Sequence, residues 1–339
     1  MARKGGWRRR ASQGRGFRYE DSRGRPVTDA AALERIESLR IPPAWKDVWI
    51  SPRPGAKLQA TGVDRAGRRQ YLYHPEFRAR QEQAKYDKLV RFAERLPELR
   101  KVMSEHLDQE PLSPDWTAAL AVRLVNEGWF RVGNERYARS YRTFGITTLR
   151  KGHVRVRGSK ISFRFRAKHR VLCRTVLVDA ELAAAIKELL GLPGGRRLFR
   201  YRRDDELFNL GARRLNEYIR EHMGEEFTVK DFRTWGGTLL AAIQLAEAKP
   251  AETVTEQKRT VAAVMRAVGE RLGNTPAVAR SSYVSPAVVE QYLDGRTIDD
   301  FRPRHLRVVG ARGLDLDPEE QALLSLLRSW RIRRAREAA

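Results

Sequence analysis

The sequence is poor in cysteine, in acid relative to base, and in long apolar runs. Cys173 is the only cysteine among 339 residues. An intramolecular disulfide and a cysteine-based zinc site are therefore excluded, and a reducing compartment fits. No stretch of about 18 apolar residues occurs, so no membrane span is expected. The basic stretch from Met1 to Arg18 has no apolar segment after it, so it does not read as a secretory signal. The six histidines are scattered. They form no His-Glu-x-x-His pair, and there is no Gly-x-x-x-x-Gly-Lys-Ser/Thr loop to cradle a triphosphate. Acidic residues number 42 against 67 Lys and Arg, a formal net charge of +25, with an isoelectric point near 10.8. That surplus calls for a polyanionic partner, nucleic acid first. At 41% hydrophobic the chain can still bury a core, and its length suggests two domains.

Residues 1–26 are rich in Arg and Gly and read as a mobile basic arm. Asp29 to Leu39 has apolar residues at helical spacing, and Ile41-Pro42-Pro43 stops that helix. Short β-prone runs follow at 48–50, 57–61 and 69–73, divided by Pro and Gly, and predict a small antiparallel sheet. In the last run Arg69, Tyr71 and Tyr73 share one face and Gln70 lies on the other. Residues 78–107 read as two helices broken at Pro97, and 116–130 as a largely apolar helix. Strands are expected around 147–149, 153–156, 160–165 and 174–178, with the cationic tip Arg166-Ala-Lys-His-Arg170 between the last two. From Asp179 onward the chain reads as nearly all helical, with helices at 180–190, 206–222, 228–247, 252–272, 286–293 and 317–335. Lys249-Pro250 separates two of them. The fold class is α+β. A β-rich domain over residues 1–85, carrying the basic arm, precedes a mainly α-helical domain over 86–339 that holds a small antiparallel sheet.

One tyrosine stands out in this cationic setting. Tyr283 lies in Gly273-Asn-Thr-Pro-Ala-Val-Ala-Arg-Ser-Ser-Tyr283. A phenol, with an ordinary pKa of about 10, is a weak nucleophile unless nearby cations favour the phenolate. Four segments upstream offer a cation or donor in an unusual context: Arg131 before Gly133, Lys168 on the cationic tip, Arg233 beside Gly236-Gly237, and Asn274 after Gly273. The glycine pair, costing about 1 kcal/mol per residue within a helix, points to close packing or a close ligand.

Taken in order, these residues resemble the type IB DNA topoisomerases of the small poxvirus-like and bacterial kind. The resemblance runs through Arg35-Ile-Glu-Ser-Leu-Arg-Ile-Pro-Pro-Ala-Trp45, Asp64-Arg-Ala-Gly-Arg-Arg-Gln-Tyr-Leu-Tyr-His74 and Phe130-Arg-Val-Gly-Asn-Glu-Arg-Tyr137. It continues through Phe165-Arg-Ala-Lys168, Lys230-Asp-Phe-Arg-Thr-Trp235 and Ala277 to Pro286. It implies Tyr283 as nucleophile, forming a 3′-phosphotyrosyl bond to DNA. It implies Arg131, Arg233 and Asn274 as stabilisers of the charged phosphorus centre, and Lys168, its pKa lowered by crowding cations, as the acid for the departing 5′-oxygen. It further implies DNA contacts from Arg69, Gln70, Tyr71, Tyr73, Tyr137 and Lys230. The expected activity is relaxation of supercoiled duplex DNA, clamped between the two domains of a cytoplasmic, nucleoid-associated monomer that needs no metal, ATP or other cofactor. Two departures stand out. Asn274 occupies the place where the family usually has histidine, and Ala167 replaces a glycine before the lysine, which should stiffen the tip. Two other readings stay open on sequence alone. One is a tyrosine recombinase, which would usually carry His-x-x-Arg where Lys230 to Arg233 stands. The other is a non-catalytic basic DNA-binding protein in which Tyr283 merely packs.

Overall fold

The computed structural model describes residues 5–12, 16–248, 251–302 and 315–337. The chain divides into two compact units, Met1–Tyr86 and Asp87–Ala339.

In the first unit, strands β1 (Trp7–Ala11), β2 (Phe17–Glu20), β3 (Lys46–Ile50), β4 (Leu58–Val63) and β5 (Arg69–Tyr73) form one antiparallel sheet in the order β2-β1-β3-β4-β5. Helix α1 (Ala30–Ser38) starts where Asp29 accepts a hydrogen bond from the Ala32 amide at 2.9 Å. Ile36, Val48, Ile50 and Ala60 make the core, with Trp7, Tyr19, Trp45 and Leu72 packed against it. The arm expected over 1–26 is therefore corrected where it is described, because β1 and β2 are sheet strands that bring Trp7 and Tyr19 to the core. Residues 1–4 and 13–15 lie outside the described residues. Charge counting misleads here because a guanidinium can be used up by backbone carbonyls. Arg9 donates to the carbonyls of Ile41, Pro42, Pro43 and Trp45, at 2.7 Å to the last. It thereby ties the proline-containing segment Ile41 to Trp45 to the sheet through its main-chain acceptors.

Helix α2 (Pro75–Leu107) begins in the first unit and continues unbroken through Pro97, where the sequence predicts a stop. An interior proline costs about 3 kcal/mol. Phe92, Ala93, Leu96, Leu99 and Met103 are buried on both sides of it, and their packing holds the helix straight through. In the second unit follow α3 (Pro114–Gly128), α4 (Glu135–Ser140), and a three-stranded antiparallel sheet of β6 (Val154–Arg157), β7 (Lys160–Arg166) and β8 (Leu172–Val178). The strand expected near 147–149 is instead a 3-10 turn, Ile146–Thr148. Its amides reach back to the irregular segment after α3, Ile146 to the Arg131 carbonyl at 2.7 Å and Thr147 to the Val132 carbonyl at 2.9 Å.

Helix α5 (Ala180–Gly191) leads to a hairpin of β9 (Arg200–Arg203) and β10 (Glu206–Asn209) that the helical reading of this region missed. Asp204 and Asp205 both take positive φ, 51° and 60°, which suits a two-residue hairpin turn. The helix expected from 206 thus starts later, as α6 (Ala212–Met223). The remaining helices are α7 (Val229–Glu247), α8 (Val254–Leu272), α9 (Pro276–Ser282), α10 (Pro286–Leu293) and α11 (Pro318–Glu337). The separator Lys249-Pro250 lies outside the described residues. Short α9 was not foreseen. Thr275 caps it and Pro276 opens it, and it ends against Tyr283.

Helix α7 is the axis of this unit. Phe232 and Trp235 on it pack against Phe92 of α2 at ring distances of 5.0 and 6.2 Å. The Trp235 indole also donates to Glu320 of α11 at 3.1 Å, and Glu320 takes two bonds of 2.8 Å from Arg100 of α2. Glu320 is 4% and Arg100 13% exposed. Removing one member of such a buried pair leaves the other uncompensated, at about 3–5 kcal/mol. Glu320→Ala should lower the unfolding free energy by about that amount, read from the urea midpoint. An unchanged midpoint would show that α11 is not tied to α7 through this carboxylate.

Candidate active site

The site forms where three chain segments meet the C-terminal end of α8. That helix stops at Gly273, whose φ of 62° closes it in the left-handed conformation glycine tolerates. Helix C-termini leave carbonyls without intrahelical partners and carry partial negative charge. Here arginines take them up. Arg233, in the second turn of α7 and 4% exposed, donates through Nη2 to the Leu272 carbonyl at 2.8 Å and through Nη1 to the Trp129 carbonyl at 2.6 Å. Arg131 donates through Nη2 to the Gly273 carbonyl and to Asn274 Oδ1, both at 2.8 Å.

The backbone around each arginine is shaped for the purpose. Trp129 caps α3 in the left-handed region with φ of 52°, which turns its carbonyl to Arg233. Beyond it, Gly133 and Gly145 are in main-chain contact. A side chain at Gly145 would lie 2.4 Å from the Arg131 carbonyl oxygen and the Gly133 nitrogen. The Gly236-Gly237 pair serves packing within the protein. A Cβ on Gly236 would sit 2.2 Å from the Trp129 ring, and one on Gly237 would sit 2.9 Å from the Tyr283 carbonyl oxygen and 3.1 Å from its Cβ. Thr238 adds a hydrogen bond from its hydroxyl to the Tyr283 carbonyl at 3.1 Å. Helix α7 thus presents Arg233 and seats the Tyr283 backbone one turn later.

Tyr283 is half-buried, and the Arg233 guanidinium carbon lies 5.0 Å from the centre of its ring. Burial raises the phenol pKa, but Arg233, then Arg131 and Lys230, more than offset it, leaving it below the ordinary phenol value. Burial pushes Arg131 down to about 10, with the like charge of Arg233 contributing, and burial also lowers Arg233. Neither arginine forms an ion pair with a carboxylate among the described residues, and the Arg233 Nε is buried without a hydrogen-bond partner. Two crowded, desolvated cations without a counter-ion favour an incoming anion. They line a cleft of about 370 Å³ together with Trp129, Cys173, Arg174 and Arg271. Arg271, absent from the sequence expectations, lies with its guanidinium carbon 5.3 Å from the centre of the Trp129 ring. Its signal was its place three residues before Asn274, on the last turn of α8.

Asn274 sits at this centre in an unforeseen arrangement. Its Oδ1 accepts from Arg131 and its Nδ2 donates to the Leu272 carbonyl at 3.3 Å. Since a guanidinium only donates, the amide oxygen must face Arg131, and the amide donor is occupied by backbone. Lys168 is not gathered with the others. It lies in a 3-10 turn, Lys168–Arg170, is exposed, makes no hydrogen bond or ion pair among the described residues and does not line the cleft. Ala167 has φ of −90° and ψ of −171°, extended backbone open to any residue, so its replacement of glycine costs nothing. The positive φ angles fall on His169 and Arg170.

Of the other predicted contacts, Lys230 is exposed at the start of α7 and adds positive potential at Tyr283. Tyr137 is 44% exposed on α4, its ring 5.6 Å from that of Tyr141. In the first unit, Arg69, Tyr71 and Tyr73 project from one face of β5, the tyrosine rings stacked at 6.3 Å. Gln70 on the opposite face donates to Asp64 at 2.8 Å.

The charge arrangement has a direct readout. The phenolate absorbance difference between wild type and Tyr283→Phe isolates one of the ten tyrosines. Its midpoint should fall below about 10, the ordinary phenol value, and Arg233→Gln should move it upward because burial then acts with less opposition. A midpoint above that value in the wild type would contradict the arrangement.

Comparison with known proteins agrees with this geometry. Residues 74–299 match the family model of the eukaryotic DNA topoisomerase I catalytic core, and residues 16–64 match that of the bacterial DNA topoisomerase IB N-terminal domain. The chain is 34% identical to DNA topoisomerase 1B of Acanthamoeba polyphaga mimivirus, over 77% of this chain and 80% of that protein. It is 23% identical to DNA topoisomerase 1B of vaccinia virus (strain Copenhagen), over 81% of this chain and 86% of that protein. The recombinase and non-catalytic readings are thereby set aside. Two family models in the expected order, an extended viral relative and an arginine pair beside a tyrosine all lead to one assignment: the chain belongs to the type IB DNA topoisomerases.

Proposed function

We propose that this topoisomerase relaxes supercoiled duplex DNA through a covalent bond between Tyr283 and the 3′ end of one strand. The observation that carries the reading is the pairing of two guanidinia, buried Arg233 and half-buried Arg131, without carboxylate partners among the described residues, with a phenol of lowered pKa. Tyr283 loses its proton to solvent and its oxygen attacks the phosphorus. The bond to the 5′-oxygen breaks, and Lys168 gives that oxygen a proton. Arg131 and Arg233 hold the charge that builds on the non-bridging oxygens, each such donor typically contributing ~3–4 kcal/mol. The nicked end swivels, and the reverse step reseals it. The phosphotyrosyl ester conserves the bond energy, so resealing needs no nucleotide, and in this reading the two guanidinia take the place a metal would hold at the phosphate.

Asn274 in this scheme orients Arg131 and has no acid–base part, since a carboxamide does not titrate in this range. Lys168, on an exposed turn, reaches the leaving oxygen once DNA lies along the cleft. Arg69, Gln70, Tyr71 and Tyr73 in the first unit, with Tyr137 and Lys230 in the second, contact the same duplex, where Arg and Tyr suit phosphate and sugar. In this reading the protein acts as a monomer. A DNA substrate, together with the net charge of +25, supports residence on the nucleoid in the cytoplasm.

Supercoiled plasmid incubated with the protein in EDTA, without ATP, should be relaxed. Supercoils that persist in EDTA and disappear when a divalent metal or ATP is supplied would overturn the mechanism.

A further inference from the structure

The catalytic cleft carries a third guanidinium that the proposed chemistry does not use. Arg271 stands on the last turn of α8 and continues the buried stripe Val261, Val264 and Val268 by one turn. Helical spacing therefore directs its stem along that face. Its head emerges at the cleft, where Arg271 is exposed and shares the wall with Arg131, Arg233, Trp129 and Cys173. The guanidinium carbon lies 5.3 Å from the centre of the Trp129 ring, inside the ~6 Å over which an aromatic face attracts a cation. That ring is a firm platform. It packs on Gly236 so closely that a Cβ there would lie 2.2 Å away, and the Trp129 carbonyl is held by Arg233 at 2.6 Å.

Stacking differs from hydrogen bonding in what it leaves free. Arg131 and Arg233 each spend donors on two protein acceptors. Arg271 spends none, since among the described residues it makes neither a hydrogen bond nor an ion pair. Glu270, also exposed, is the one carboxylate on the cleft wall among the described residues, and it pairs with none of these arginines. A planar guanidinium held by its face keeps all five N–H groups for a ligand, and two of them on one edge suit a phosphate. Arg174, on the β8 rim of the cleft, is exposed as well but has no such aromatic support among the described residues.

The cleft also has two ends. Burial raises the Cys173 thiol pKa, opposed by its hydrogen bond with Thr175 and then by the charges of Arg131, Arg271 and Arg233. At Tyr283 the leading charges are those of Arg233, Arg131 and Lys230. The arginine pair is thus felt at both ends, Lys230 at the phenol and Arg271 at the thiol. Arg271 lies across the pair from the nucleophile, displaced from the phosphate under attack.

We propose that Arg271, braced on Trp129, grips the phosphate next to the one attacked and so sets the register of the cleaved strand in the site. It is a positioning residue that does not touch the reacting atoms. The inference rests on the topoisomerase reading but does not need Tyr283 to be the nucleophile.

The test uses a duplex whose cleaved bond has been mapped with the wild-type protein. Binding is read in full-length Tyr283→Phe protein, where cleavage cannot confuse the outcome. Arg271→Gln in that background should weaken binding ~10-fold, as loss of a charge-assisted contact does, and should lower the salt slope by ~0.9. Duplexes carrying a single methylphosphonate, which removes one charge, then locate the contact. Neutralising one of the two phosphates that flank the cleaved one should weaken the Arg271 protein to the same extent and leave Arg271→Gln almost unaffected. Arg271→Lys keeps the charge without the flat face, and should recover the salt slope but not the affinity. Equal losses for both proteins at every position would overturn the proposal. So would a silent position at the cleaved phosphate itself, which would place Arg271 with the catalytic pair. Full affinity in Arg271→Lys would remove the role of the Trp129 brace. A wild-type adduct mapped to a residue other than Tyr283 would overturn the mechanism above and leave this result standing.

Discussion

Two neighbouring guanidinium groups, Arg233 buried and Arg131 half-buried, with main-chain carbonyls and the Asn274 amide oxygen as their partners, set the terms for the rest of this protein. A carboxylate opposite either would neutralise it and leave nothing for a phosphate to do. Carbonyls at a helix C-terminus orient a guanidinium and return only partial charge. Arg131 and Arg233 are held in this way by Gly273, Leu272 and Trp129, so most of their positive charge stays available for an anion. The depressed phenol of Tyr283 follows from the same charge.

Much of the architecture serves that arrangement. Helix α8 must end at Gly273, α3 must turn sharply at Trp129, and α7 must approach both closely enough that Gly236 and Gly237 admit no side chain. The glycine pair looks costly when α7 is considered alone, but it brings Arg233 and Tyr283 within reach of each other. The fork from Arg100 to Glu320, shared with Trp235, fixes the far side of the same helix. Asn274 completes the set by bonding both Arg131 and the helix end. An uncharged amide there keeps the cationic pair free of a counter-charge, as a carboxylate would not.

The sequence made the site more legible than the fold around it. Arg131, Arg233, Asn274 and Tyr283 stand in recognisable segments, and the structure brings them to one helix end. Lys168 stands in a similar motif, yet it lies on an exposed 3-10 turn apart from them, because a sequence motif does not record where a side chain sits in the fold. Helix α2 ran through Pro97 because buried neighbours on both sides outweigh a local preference, and a single-chain pattern cannot register those neighbours. The Arg-rich start became strands because Arg9 spends its charge on four carbonyls from a loop some thirty residues later. The hairpin at Asp204-Asp205 was hidden by flanking arginines and by two aspartates that accept positive φ without the usual glycine.

The proposed mechanism turns on Tyr283 holding the broken strand while the nicked end swivels. The most direct measurement is to trap the protein–DNA adduct with denaturant during turnover and map the linked peptide. The account predicts one modified residue, Tyr283, bonded to the 3′ phosphate of the broken strand. A link to any other residue, or to a 5′ phosphate, would contradict it.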